Sequence, residues 1–142
     1  DFKKLHPAGS LGAQLKTVED VMVSGKNIPF VDEHILMNKA LKILSQKKLG
    51  ILVVNRKNKT VGIITDGQIR RFSQIETNFQ YLPVKKIMTK NPISIDKHEL
   101  AAKALNLMNS KKVTSLVVIN KKKPSVTIGV VHVHSILQSN IS

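Results

Sequence analysis

Two stretches of the chain gather residue types that can do chemistry. In VGIITDGQIRR (61–71) an apolar run is followed by a hydroxyl (Thr65), a carboxylate (Asp66), a glycine (Gly67), a side-chain amide (Gln68) and two guanidinium groups (Arg70, Arg71). In IGVVHVHSILQ (128–138) the same outline carries His132, His134 and Ser135. Each stretch reads as a strand passing into a helix. Free backbone N–H groups and the positive end of a helix dipole collect at such a turn, and arginine adds forked donors, so the chemistry on offer is anion binding. A plainer reading stands beside it, with Asp66 as a helix cap and the arginines as solvated surface. His132 and His134 lie two apart and could face one side of a strand as metal ligands, but no third ligand is evident. A ring that hydrogen-bonds a ligand or the backbone is the expected use, and no metal or cofactor is expected. Nothing points to catalysis: no carboxylate pair, Ser-His-Asp order or P-loop is present.

Composition narrows the classes. The 142 residues suit one compact unit with an ordinary apolar share. No cysteine is present, which excludes disulfides and Cys-zinc sites. With no tryptophan and one tyrosine, the core must be built from Leu, Ile and Val. No run reaches the eighteen apolar residues of a membrane span and no signal peptide is seen, so a cytoplasmic protein with no membrane role is expected. The opening DFKKLHP does not resemble a natural start, and a segment of a longer chain is expected. The net charge is +14, yet of 23 basic residues only Arg56, Arg70 and Arg71 are arginine. Scattered lysines argue against dedicated nucleic-acid recognition, although the field favours small anions.

The elements that must position these residues come in two copies. With an offset of 64, Lys39-Ala40-Leu41 meets Lys103-Ala104-Leu105, Asp32 meets Asp96, His34 meets His98, and Leu52-Val53-Val54 meets Leu116-Val117-Val118. Upstream, VEDVMVSG (18–25) matches VKKIMTKN (84–91), and downstream Gly62-Ile63-Ile64 matches Gly129-Val130-Val131. Each copy predicts a short helical turn, with Thr17-x-x-Asp20 at capping-box spacing. An extended segment follows (27–31 or 91–95). Next comes a helix capped by Asp32 or Asp96, with an apolar stripe of Leu36, Met37, Ala40, Leu41 and Leu44, or Leu100, Ala101, Ala104, Leu105 and Met108. A buried strand (50–55 or 114–119), a basic turn, a second strand (60–65 or 126–132) and a closing helix (66–74 or 133–139) complete it. The fold class is α/β (α+β), with β-α-β-β-α twice. One copy cannot cover its own sheet, so the two are expected to pack as a pseudo-two-fold pair.

This order and its motifs, DVM…IPFV and KIM…NPISI, the ILVV strand and the GIIT or GVVH turn, closely resemble the tandem CBS domain pair, a regulatory module. The division expected is a 1–16 tail, repeat 1 over 17–76 and repeat 2 over 77–142. The start, with His6-Pro7-Ala8-Gly9-Ser10-Leu11-Gly12, is similar to the junction after the sugar-isomerase (SIS) domain of bacterial arabinose-5-phosphate isomerases. That resemblance implies a parent enzyme that interconverts ribulose 5-phosphate and arabinose 5-phosphate for lipopolysaccharide (Kdo) synthesis. Its catalytic domain would lie upstream, and His6 matches a histidine of the parent active site.

In CBS pairs that bind adenosine nucleotides, the resemblance implies a Ser/Thr-x-x-Asp pattern at the turn. Here Thr65 keeps the hydroxyl, Gln68 replaces the aspartate, and the second copy has His132 and Ser135. Loss of both ribose-binding carboxylates argues against a plain adenine nucleotide. By position, Lys90, Asn91, Pro92, Ile93, Thr114 and Ser115 are further lining candidates. The expected partner is a small anionic ligand such as a nucleotide or CMP-sugar, with CMP-Kdo as the end product of the pathway. The parent's SIS domain, a homodimer through the CBS pair and a tetrameric parent are also implied. The alternatives are a ligand-free oligomerisation scaffold and, on charge alone, nucleic-acid binding.

Overall fold

The computed structural model describes residues 15–75 and 77–141. They form two compact units that interleave along the chain. One comprises Lys26–Pro92 with Ser125–Thr127, and the other the chain up to Gly25, Ile93–Pro124 and the residues from Ile128.

In the unit built around Lys26–Pro92, β1 (Phe30–Asp32) leads through helix α2 (Met37–Lys47) to β2 (Ile51–Arg56), which runs parallel beside it. The parallel return needs a crossover, and the helix supplies it. β2 turns back into antiparallel β3 (Lys59–Thr65), which continues directly into helix α3 (Asp66–Ile75). Strand β4 (Thr89–Lys90) adds to the far edge, giving the order β1-β2-β3-β4. Ile51 to Val54 are all buried, as four consecutive apolar residues demand of a strand covered on both faces. The core joins Val31, Met37, Ala40, Leu44, Leu52, Val54, Ile64, Val84 and Ile87.

The other unit repeats the plan. It holds helical turn α1 (Val18–Val21), β5 (Ser94–Asp96), helix α4 (Ala101–Lys111), β6 (Ser115–Asn120), most of β7 (Lys123–His132) and helix α5 (Val133–Ile141). Its sheet order is β5-β6-β7, with β5 and β6 parallel. Val18, Ile95, Ala104, Met108, Leu116, Val118, Val131 and Ile136 fill its core. The capping box is present, with the Asp20 carboxylate accepting from Thr17 N–H at 2.9 Å. That bond holds the carboxyl of Asp20 below its ordinary value.

Two expectations need correction. Asp32 and Asp96 do not cap the long helices, whose N-caps are Leu36 and Leu100. Each aspartate instead ends its strand and accepts the backbone N–H two residues on, from His34 and His98, at 2.9 Å in both cases. The helices need no side-chain cap, because a neighbouring backbone supplies the acceptor: Met37 N–H donates to Leu82 C=O and Ala101 N–H to Lys16 C=O, both at 2.8 Å. The stripes are also narrower than expected. Leu36 and Leu100 are 38% and 46% exposed, since the helix face begins one residue later.

Candidate functional site

The turn after β3 is built as a reciprocal cap. Thr65 precedes α3, and Gln68 stands three residues into it. The Gln68 Oε1 accepts from Thr65 N–H at 2.9 Å, and Gln68 N–H donates to Thr65 Oγ1 at 3.4 Å. Threonine followed three residues later by glutamine is the side-chain pattern of a capping box. The other end of the same amide, Gln68 Nε2, donates to Ile87 C=O at 3.3 Å and to Thr89 Oγ1. Gln68 thus ties the helix start to β4, and both of its polar ends have protein partners.

Around this cap, Asp66 is exposed and donates its N–H to Gly50 C=O at 3.1 Å. Gly50 is left-handed (φ +70°), and a Cβ there would stand 3.0 Å from the Asp66 carboxylate. Arg71 folds back over Gly67, with an Nη 3.3 Å from where a Cβ would be. Arg70 and Arg71 are both exposed. Neither has an ion-pair partner among the described residues.

Two glycines show why the turns are so similar. A Cβ on Gly62 would lie 2.7 Å from both Met88 Sδ and the backbone oxygen of Thr89. A Cβ on Gly129 would collide with Met22 Sδ and sit 2.9 Å from Val23 C=O. The methionine segments cross these strands so closely that only hydrogen fits.

In the other unit, His132 plays the part of Thr65. Its Nδ1 accepts from His134 N–H at 3.1 Å, and the two rings stack with centroids 4.8 Å apart. The accepting nitrogen must be unprotonated. Burial, and then the neighbouring His134, hold the pKa of His132 below its usual 6.5. Thr114 C=O accepts from Val133 N–H at 2.9 Å, which joins the start of β6 to the same turn. Ser115 Oγ is buried without a partner among the described residues. Ser135 lies in the first turn of α5, and Ile93 packs against the core. No group of three or more His, Cys, Asp or Glu able to hold a metal occurs among the described residues. His6 lies outside them.

Three predicted residues, Lys90, Asn91 and Pro92, line an open cleft of about 360 Å³ with Arg56, Thr60, Val61 and Met88. The size is that of small-molecule sites. Asn91 is left-handed (φ 55°), which turns the chain out of β4. The other four residues escaped the sequence reading. Arg56 was visible as the third arginine, but its partner Glu33 stands 23 residues away, and no local spacing links them.

The CBS domain profile matches residues 18–74 and 84–141. The chain is 35% identical over 143 residues to the arabinose 5-phosphate isomerase KdsD of Salmonella typhi, covering 99% of this chain and 43% of that protein. It is 36% identical over 139 residues to KdsD of Francisella tularensis, covering 97% of this chain and 42% of the relative. An uncharacterized protein of Rickettsia prowazekii is 36% identical over 143 residues, covering all of this chain and 43% of its own length. The chain thus spans under half the length of these relatives. Among solved structures, CBSX2 in complex with AMP is similar with a TM-score of 0.77 at 22% identity, covering 89% of this chain and 96% of that one. The CBS domain pair of protein MJ0100, in complex with 5-methylthioadenosine and S-adenosyl-L-methionine, is similar with a TM-score of 0.74 at 22% identity, covering 87% and 94%.

Proposed function

The chain belongs to the CBS domain family, and from that premise we propose that it is the regulatory, non-catalytic part of a cytoplasmic sugar-phosphate isomerase of the arabinose 5-phosphate type. In this reading it senses a nucleotide or nucleotide-sugar, such as CMP-Kdo in lipopolysaccharide synthesis, and passes the signal to an upstream SIS domain. The observation that carries the ligand is the cleft beside β3 and β4, with cationic, amide and apolar walls. Similarity along the whole chain to isomerases of two bacteria supports the parent activity. To regulate, the ligand must bind two states of the parent with different affinity.

Calorimetry of the chain with CMP-Kdo, CMP, AMP and ATP at physiological salt tests the reading. Saturable micromolar binding of a cytidine ligand is the expected result. No heat with any of the four would refute it. The satisfied cap at Thr65 and Gln68 favours a second reading, a module that mediates assembly of a dimer or tetramer without a ligand. In that case the oligomeric state of the parent would depend on the segment, and the titrations would be silent.

A further inference from the structure

The cleft contains a group that the sequence-derived ligand motif does not use. Arg56, at the end of β2, donates from Nε and Nη2 to the two carboxylate oxygens of Glu33, at 2.6 and 3.0 Å. Glu33 is only 5% exposed, and its backbone is fixed on both sides: its N–H donates to Asn55 C=O and its C=O accepts from Lys85 N–H, each at 3.0 Å. A guanidinium carries five N–H donors, and this pairing spends two. The side chain is still 61% exposed, and it lines the cleft. The remaining donors are therefore available in a side chain whose torsions a buried carboxylate has already set. Lys90 stands in the same lining, no carboxylate does, and Val61, Met88 and Pro92 supply apolar surface.

We propose that Arg56, fixed by Glu33, is the anion-binding donor of this cleft, and that with Lys90 it selects ligands bearing a phosphate or carboxylate over their neutral counterparts. The inference rests on the ligand-binding reading above and deepens it. Where the ribose-binding carboxylates are missing, the ligand is held by its charged end instead of its sugar hydroxyls. A fork held in place loses little freedom on binding, which is why a preorganised arginine gains affinity over a free lysine.

The test compares AMP with adenosine and CMP with cytidine, titrated into the chain at constant salt. The nucleotides are expected to bind about tenfold or more tighter than the nucleosides, and Arg56→Gln to reduce that preference to about twofold or less. Because Arg56→Gln alone leaves the buried Glu33 with only the His34 ring beside it, at 3.7 Å, the double variant Glu33→Gln with Arg56→Gln is the companion, with circular dichroism to verify the fold. Glu33→Gln alone keeps the guanidinium but loosens it, and an intermediate preference is expected. Nucleosides binding as tightly as nucleotides would overturn the proposal. A preference unchanged in both folded Arg56 variants would overturn it while leaving the ligand-binding reading intact. Failure of the unaltered chain to bind any of these probes or CMP-Kdo would overturn both.

Discussion

At the scale of single residues, the closest tolerances fall on glycines and on one histidine. Gly62→Ala places a methyl against both Met88 Sδ and a backbone oxygen, and only the sulfur can move. A loss of about 1–3 kcal/mol is expected in urea unfolding. His132 gives the molecule a pH response. Its folded pKa lies below the usual 6.5, so the unfolded chain takes up the proton first. The stability from the neutral ring is complete above that value and is lost as pH falls through the lower folded one. Thermal melts in a series descending from above pH 6.5 should show this decline, and His132→Asn, which keeps a capping acceptor without titrating there, should flatten it. The depressed carboxyls of Glu33 and Asp96, each held down first by hydrogen bonds, act at lower pH. Their contribution is present above the usual carboxylate range and is lost on further acidification. A His-specific slope is therefore separable from theirs.

At the scale of elements, side-chain bonds join segments that sequence order keeps apart. Asp96, at the end of β5, accepts from His98 N–H and from Lys121 N–H in the β6–β7 turn, at 2.9 and 2.8 Å. Asp96→Ala is expected to cost about 0.5–1.5 kcal/mol, measured by chemical denaturation, since water replaces the carboxylate at two exposed backbone donors. Gln68→Ala should release β4 from α3, visible as faster hydrogen exchange at Thr89 and Lys90. The strands and closing helices were legible in the sequence because apolar runs and β-branched residues follow a simple period. The positions of Asp32 and Asp96 were misleading because an aspartate that closes a local turn has the same local signature as one that starts a helix. The two-residue β4 left no periodic trace. Gln68 read as a ligand-lining residue standing where an aspartate is expected, and the structure gives its side chain a cap and a cross-link. Arg56 was unreadable because its meaning depends on Glu33, brought near only by the pairing of β1 with β2.

At the scale of the whole molecule, the charge of +14 sets the solution behaviour. The affinity of any anionic ligand is expected to fall modestly as salt rises, and that of nucleic acid steeply, a contrast that fluorescence titration in a salt series would resolve. No helix among the described residues is long and apolar enough to cross a membrane. The division into units has its own reach. The segment that opens the first copy packs in the unit of the second, where Val23 and Val130 exchange backbone hydrogen bonds at 2.8 and 2.9 Å. The segment that opens the second copy supplies β4 to the first. A polypeptide with one copy would therefore have to borrow its missing edge from a twin. Residues 77–142 expressed alone should fold only as concentration rises, in sedimentation and circular dichroism. Fusing two such partners end to end turns a trade between molecules into a trade within one, so that folding no longer waits on an encounter.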